Sequence, residues 1–345
     1  MVDQADVIAR AEAVIGDDQP DDYILAPASH AQELAQKAPV LAALLRTSKI
    51  KTLAEQYKRH DEEAGSAQQR FKDAMTRANG AVLVTAVLAA LIMVGGIFEP
   101  RLGVAAMRPP LLVLGLGALL AGALASMWLF RVREGQLLDE WMTERAHAET
   151  TRSAYFTTLV KEPDQAASDP PLGLLKLEYF RRYLLDMQIL YYGRRGRHHR
   201  RSADRTLTLG GFAAALGAVA SGSAGLVASF NAPWAALAAV GVIGTSLAAF
   251  AATREAVNQD RRNAERYGRT LSSLEILRGR LDDVRAGVLA GSQDVLEEYV
   301  AAVQEQLSLE HREWLSGAES TRSAIGKLDE TLAALQKEGA KPQGA

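Results

Sequence analysis

The chain has 345 residues, of which 48% are hydrophobic, and its formal net charge is −2. It contains no cysteine, which excludes disulfides and thiolate metal sites. The small net charge conceals a strong local asymmetry of basic residues, which bears on orientation in a membrane.

The N-terminal segment, residues 1–49, is weakly patterned. It is predicted to form short helices over Gln4–Ile15 and Ala31–Ser48, with an acidic loop at Gly16–Asp22. Residues 50–79 are polar and lack proline, which predicts a helix that runs into the membrane. The N-terminus has neither a long apolar segment nor a cleavage pattern, so a signal peptide is not expected.

Two uncharged segments follow. Ala78–Phe98 lacks charge over 21 residues and Pro109–Phe130 over 22, and a polar link from Glu99 to Arg108 joins them. At about 1.5 Å per residue, each segment is long enough to cross a hydrocarbon core of about 30 Å. The pattern predicts a hairpin of membrane helices at about 80–98 and 110–130.

The second membrane helix is predicted to continue through Arg131–Val160 and to stop before Pro163. Residues 163–171 are predicted to form a linker, and a new amphipathic helix is predicted to begin near Leu172. The apolar face of that helix carries Leu175, Tyr179, Tyr183, Leu184, Met187 and Tyr191.

A longer uncharged run, Thr206–Thr253, has no Asp, Glu, Lys, Arg or His over 48 residues. As one helix it would be about 72 Å long, more than twice the hydrocarbon thickness. Asn231-Ala232-Pro233 supplies a turn, which predicts a second hairpin with membrane helices at about 206–229 and 233–252. The alternative, a buried soluble core, is disfavoured because soluble helices of this length show a charged face.

The fourth membrane helix is predicted to extend to about Arg285, with a break at Gly287 and Gly291. Asp294–Leu315 is predicted to form an amphipathic helix, and Glu319–Lys337 the last one. The last helix repeats apolar residues as a short a/d seam, too short to hold a coiled coil alone. The seam consists of Ile325, Leu328, Leu332 and Leu335.

These elements predict an all-α integral membrane protein, with four transmembrane helices as two hairpins with long cytosolic helical extensions. The predicted domains are an N-terminal segment (1–49), a first helix-hairpin-helix unit (50–162), a linker (163–171), a second such unit (172–318) and a C-terminal helix and tail (319–345). The two units are predicted to be an internal repeat, since Arg133-Glu134 and Arg254-Glu255 occupy the same place after each hairpin.

The distribution of basic residues predicts the orientation. Residues 131–205 contain 14 Lys or Arg, whereas the predicted turn at 230–233 contains none. The positive-inside rule therefore places both termini and the central segment in the cytoplasm. The Ala- and Arg-rich composition suggests a bacterial source, and hence the bacterial inner membrane.

Small residues recur along the third membrane helix in two series with a spacing of four. The positions are Gly217, Ser221 and Gly225, and Gly210, Ala214, Ala218 and Gly222. Such faces allow close helix approach, either within the hairpin or between copies in a homo-oligomer. No ionisable residue lies in any predicted span, which argues against a coupled transporter and permits a weakly selective pore.

The densest cluster of basic residues in the sequence precedes the second hairpin. It comprises Arg194, Arg195, Arg197, Arg200, Arg201 and Arg205, with His198-His199 among them. Contact with anionic lipid is the favoured interpretation, a phosphate-rich ligand is the alternative, and no nucleic acid is expected. The two histidines point about 100° apart on a helix and have no carboxylate at i+4, so no metal is expected.

No Ser/His/Asp set, Walker loop or zinc motif appears along the chain. The tyrosines Tyr179, Tyr183, Tyr191 and Tyr192 are predicted to be core contacts between helices. The sequence therefore predicts no enzyme and no cofactor.

The stretch 177–205, which leads into the second hairpin, and the stretch 294–315 resemble the SLATT family. The entry matches at Leu177, Tyr183, Gln188, Tyr191 and Tyr192, and the exit at Glu310 and Trp314. The resemblance covers about 172–318, and the layout of the first half suggests a tandem of two such units. It implies a two-transmembrane-helix effector of bacterial nucleotide-linked conflict systems, with a separate nucleotide-messenger synthetase or sensor as a possible partner.

The expected function is an oligomeric membrane effector that permeabilises or disrupts the bacterial inner membrane on activation, as in anti-phage defence. The lipid bilayer is its expected partner. The alternative is a non-pore membrane scaffold or anchor, whose cytosolic helices dock a partner protein.

Overall fold

The computed structural model describes residues 4–17, 22, 24–102, 104–163, 168–227 and 237–339, and these ranges contain helices and no strand. The helices are α1 (Gln4–Ile15), α2 (Pro27–Glu33), α3 (Pro39–Leu45), α4 (Ser48–Leu102), α5 (Val104–Glu134), α6 (Leu137–Lys161), α7 (Leu172–Phe180), α8 (Met187–Val227), α9 (Leu237–Asn258), α10 (Asp260–Arg278), α11 (Leu281–Leu289), α12 (Gln293–Ser316) and α13 (Ala318–Gly339). A π-helical turn, Arg181–Asp186, joins α7 to α8. The predicted all-α fold is confirmed.

Four helical stretches are long and apolar enough to cross a membrane, judged by length and composition. They lie within Ser48–Ile97, Ala106–Lys161, Leu172–Gly225 and Leu237–Leu289. Only 17–28% of their most apolar windows is buried inside the protein. Most of this apolar surface is therefore open to acyl chains, as a membrane span requires.

The prediction for α1 is confirmed, since the helix covers Gln4–Ile15. The prediction of one helix over Ala31–Ser48 was wrong, because two short helices end and begin within it. Pro39 occupies the first turn of α3, where its missing N–H costs nothing, and it thereby separates α3 from α2.

The turn of the first hairpin is shorter than predicted. Helix α4 continues to Leu102 and α5 begins at Val104, so most of the predicted link from Glu99 to Arg108 is helical. The predicted second turn at 231–233 lies outside the described residues, as do residues 164–167 of the predicted linker and the tail from 340 onward.

Each hairpin ends at a break that the sequence analysis did not predict. Gln136 (φ 46°) separates α5 from α6, and Gln259 (φ 51°) separates α9 from α10. A positive φ is strained for residues other than glycine and interrupts the helical ladder. The predicted extensions to Val160 and to Arg285 are helical, but the first is interrupted at Gln136 and the second at Gln259 and again between Arg278 and Leu281.

A third break lies at one of the two glycines where a break was predicted. Gly291 (φ 85°) separates α11 from α12, since glycine adopts this conformation without a steric penalty. Gly287 lies inside α11 and breaks nothing.

The chain divides into two compact units. The polar bundle comprises Met1–Ala67, Asp139–His198 and Arg262–Ser316. The hairpin unit comprises Gln68–Leu138, His199–Arg261 and Gly317–Ala345.

The core of the polar bundle is built around α7. Every residue of Leu172–Phe180 is buried, including Lys176 and Glu178, so α7 is not the amphipathic helix that was predicted. Tyr155, Phe156 and Tyr179 are fully buried beside one another, and the Tyr155 and Tyr179 hydroxyls lie 2.9 Å apart.

Buried ion pairs surround this core. The Glu178 carboxylate, which is fully buried, accepts from Arg181 Nε at 2.6 Å and from Arg285 Nε at 2.7 Å. Asp186 pairs with Arg181 Nη1 at 2.8 Å and with Arg278 Nε at 2.7 Å. Because an unpaired buried charge is very costly, these pairs allow α7 to be buried on all sides.

Candidate functional site

The second hairpin is held by direct backbone contact between α8 and α9 in the hairpin unit. A Cβ added at Gly217 would approach Thr245 N at 3.0 Å and the Gly241 carbonyl oxygen at 3.2 Å. A Cβ added at Gly244 would lie 2.6 Å from Gly217 Cα. Only glycine allows the two helices to approach this closely.

The predicted small-residue positions separate into two groups. Gly210, Gly217 and Ser221 lie at the contact with α9. The other four form an open small-residue face: Ala214, Ala218, Gly222 and Gly225, all exposed. Among the described residues, nothing lies within 4 Å of a Cβ built at Gly222 or Gly225, so this face has room for lipid or another helix.

The last helix, α13, packs on the ends of both hairpins within the hairpin unit. Its buried side faces α5 and α9. That side consists of Thr321, Ala324, Ile325, Leu328 and Leu332, which includes three of the four predicted seam positions. The side chain of Leu335 lies outside the described residues.

Polar contacts connect α13 to the two strained breaks. Gln259 Nε2 donates to Thr321 Oγ1 at 2.8 Å and to the Gly317 carbonyl. Arg133, three residues before Gln136, pairs with Asp329 at 3.0 Å. The Arg133 pair is exposed and contributes little stability, so the apolar side of α13 and the Gln259 amide provide most of the attachment. We call α13 (Ala318–Gly339) the C-terminal brace.

The predicted basic residues lie on α8 and are exposed. Arg194, Arg197, Arg201 and Arg205 follow the helical repeat along one side. Arg195 lies over the Tyr191 ring at 5.9 Å, and among the described residues none of the six arginines forms an ion pair. Their charge is therefore available to anionic headgroups or phosphates.

The predicted family-like positions occupy different places in the polar bundle. The Tyr192 hydroxyl donates to Glu310 at 3.2 Å, although the two residues are 118 positions apart. Arg266, itself buried, pairs with Glu310 at 2.8 Å. Burial raises the pKa of Glu310, and Arg266 opposes that shift.

Tyr183 and Trp314 lie elsewhere. Tyr183, in the π-helical turn, stacks on His30 with ring centroids 4.1 Å apart, and His30 Nδ1 lies 2.7 Å from the Tyr179 hydroxyl. Burial lowers the pKa of His30 to about 4, so this ring is neutral at pH 7 and belongs to the core. Trp314 meets Trp141 edge-on at 5.0 Å.

Gln188 is half-buried on α8 and Tyr191 is exposed. The six family-like positions thus brace several helix contacts and do not form one reactive centre. This agrees with the prediction that these tyrosines are core contacts, with Tyr191 the exception.

Two of the cavities in the described part of the polar bundle are lined by charged side chains. One of about 590 Å³ is lined by Arg181, Arg278 and Arg285, but these arginines already pair with Glu178, Asp186 and Asp282. The other, of about 570 Å³, is lined in part by Glu149, Arg152, Gln304 and His311.

The second cavity contains an unsatisfied group. His311 Nε2 is buried and makes no hydrogen bond within the described part of the chain. Burial lowers the pKa of His311. Among these lining residues His311 is therefore the one with an unsatisfied group, and that nitrogen has almost no accessible surface.

A group of side chains that could hold a metal ion was not predicted from the sequence. His60, Glu144 and His147 each offer a ligand atom, and these atoms lie within 4.8 Å of one another. His199 instead bonds Asp260 Oδ1 at 2.6 Å, next to the break at Gln259. His60 on α4 and Glu144 on α6 are 84 positions apart in the sequence, so local spacing could not predict that the two helices pair there.

Residues 180–314 match the family model described as SMODS and SLOG-associating 2TM effector domain 1, abbreviated SLATT. The matched range includes the second hairpin and the six family-like positions from Tyr183 to Trp314, and Leu177 lies just outside it. It does not include the first hairpin, so a tandem of two such units stays a prediction. No curated protein and no solved structure matches the chain.

Proposed function

We propose that this chain, which carries a SLATT effector domain over residues 180–314, permeabilises the bacterial inner membrane when it is activated. The family match supports a membrane effector of bacterial conflict systems, and hence a role in anti-phage defence. The four apolar helical stretches support residence in the bilayer.

The proposal that the membrane becomes permeable rests on one observation. The C-terminal brace packs on α5 and α9, which are the second helices of the two hairpins. It bonds Gln259 at one strained break and contacts Arg133 close to the other. Since one helix contacts both hairpins where each can bend, its release would free them to repack. We propose that the brace holds the closed state.

The leak is proposed to be weakly selective. The predicted spans at 80–98, 110–130, 206–229 and 233–252 contain no ionisable residue. A charged filter and a proton relay both need such residues within the membrane. Only hydroxyl groups and backbone could contact water in an opened pore, which would then pass small solutes of either charge.

We further propose that the active form is a homo-oligomer that uses the open small-residue face. The exposed arginines of α8 would contact anionic lipid on the cytoplasmic side, where both termini are also proposed to lie. A separate nucleotide-messenger synthetase or sensor is the proposed source of the trigger. Nucleic acid is not proposed as a partner.

The oligomer proposal gives a prediction for Gly222→Leu combined with Gly225→Leu. Both positions have free space in the isolated chain, so the hairpin should fold, while a second helix could no longer approach closely. Light scattering in detergent should show a smaller oligomer. Val219→Leu, which adds bulk at another exposed position of α8, should leave the mass unchanged.

Gly244→Leu distinguishes the two groups of small residues. Its side chain would collide with the Gly217 backbone, so we expect loss of folded protein and not a change in oligomer size. An unchanged mass for the Gly222/Gly225 double variant would show that the open face contacts lipid only.

Induced expression tests the function itself. Membrane potential and uptake of a small impermeant dye are measured together, with insertion confirmed in the membrane fraction. The expected result is loss of potential and dye entry after the trigger is supplied, or without it in brace variants. Full potential with an inserted, triggered protein would favour the scaffold alternative.

A further inference from the structure

A histidine and carboxylate cluster lies between α4 and α6, inside the polar bundle. His60 Nδ1 is 2.7 Å from Glu144 Oε2, and the rings of His60 and His147 are 5.0 Å apart. His60 and Glu144 are largely buried, with side-chain exposures of 18% and 22%, while His147 lies at the surface. The cluster is therefore formed by the fold and is still open to solvent on one side.

The spacing of these residues repeats on the two helices. Residues three apart on a helix lie on the same side. His60 and Glu63 have this spacing on α4, and Glu144 and His147 have it on α6. Glu63 Oε2 is 3.8 Å from His60 Nδ1, so the Glu63 carboxylate approaches the same ring nitrogen that Glu144 contacts.

An ordinary ion pair explains this cluster poorly. Two carboxylates that approach one ring nitrogen repel each other unless a proton or a cation lies between them. The nearest arginine of α6, Arg145, is directed to Asp61 and Glu149. Among the described residues, no Lys or Arg pairs with Glu63 or Glu144.

We propose that His60, Glu144 and His147, with Glu63 as a fourth ligand, bind one divalent transition-metal ion, for which Zn²⁺ is the best fit. A set of four ligand atoms, made of imidazole nitrogens and carboxylate oxygens, matches the tetrahedral coordination of Zn²⁺. Tetrahedral ligation at zinc requires ligand atoms roughly 3.3 Å apart, so a set already within 4.8 Å needs only small side-chain movements.

The neighbouring groups are compatible with this assignment. The Arg59 guanidinium lies 3.4 Å from His60 Nε2 and is exposed, so it can turn into solvent when the other ring nitrogen binds the ion. A bound ion would connect α4 to α6 and neutralise both carboxylates. This role is independent of the proposed membrane activity, because it concerns the polar bundle alone.

Equilibrium dialysis of the full chain against Zn²⁺, in detergent and without a histidine tag, tests the proposal. We expect one zinc per chain by elemental analysis. His147→Ala, at a surface position that does not disturb the core, should weaken binding at least about 100-fold. His198→Ala, an exposed histidine outside the cluster, should leave binding unchanged.

Glu63→Gln tests the fourth ligand and should weaken binding about 10-fold. Its matched control is Glu62→Gln, a neighbouring carboxylate that pairs with Lys58 and not with the cluster. Failure to take up stoichiometric zinc would overturn the proposal. So would equal uptake by the wild type and the His147→Ala variant.

Discussion

Glu178→Ala is expected to lower the free energy of unfolding of the polar bundle by about 3–5 kcal/mol. The Glu178 side chain is fully buried and pairs with Arg181 and Arg285. Its removal would leave the buried Arg285 guanidinium with only two partners that are themselves exposed, Glu12 and Asp282. The shift of the unfolding transition of the detergent-solubilised full chain, followed by circular dichroism, measures the loss.

Glu305→Ala is the control, because the Glu305–Arg312 pair is exposed at both ends. Its loss should change the unfolding free energy by less than about 1 kcal/mol. Adding Arg285→Met to Glu178→Ala should restore part of the stability, since the stranded charge is then removed. A wild-type transition for Glu178→Ala would show that water solvates these charges.

The largest functional effect is expected for Leu328→Asp combined with Leu332→Asp. Both side chains are buried on the side of the C-terminal brace that faces α5 and α9. Two buried carboxylates would detach the brace, because each unpaired charge would have to return to water. We expect cells to lose membrane potential without any trigger, and dye uptake to rise at least about tenfold over wild type, because the closed state would no longer be held.

The matched control is Thr331→Asp with Ala333→Asp, which adds the same charge to the exposed side of the same helix. This variant should behave as wild type in potential and dye uptake. Both double variants must be found in the membrane fraction at equal amounts. If the buried variant is inserted and keeps full potential, the brace is structural and does not control the leak.

The membrane spans could be predicted from the sequence because charge-free length is a strong signal. Three long uncharged runs leave few alternatives in water, and the described parts of all three lie in helices. The start of α7 at Leu172 and the break at Gly291 could also be predicted, because Pro171 and Gly291 determine the backbone conformation at their own positions. Pro39 likewise indicates the start of α3 from the sequence, but no helix start was predicted there.

The two breaks after the hairpins could not be predicted in this way. Gln136 and Gln259 are good helix formers by propensity, so their left-handed conformations contradict local preference. The Gln259 amide is held by Thr321 and the Gly317 carbonyl, which local spacing does not reveal. The full burial of α7 depends on the partners of Glu178, of which Arg285 lies 107 residues away. The same holds for His60 and Glu144, whose proximity depends on how α4 and α6 pack.

The proline pair in α5 has a consequence for depth in the bilayer. Pro109 and Pro110 have no N–H, so the carbonyls of Ala105 and Ala106 lack their helical donors. Hydrocarbon offers no replacement, so that turn must reach water or lipid headgroups. From Pro110 to Phe130 the helix is about 32 Å long, close to the thickness of the hydrocarbon core. The two prolines thus limit how deep the first hairpin can insert, because its tip has to stay at the hydrated boundary of the bilayer.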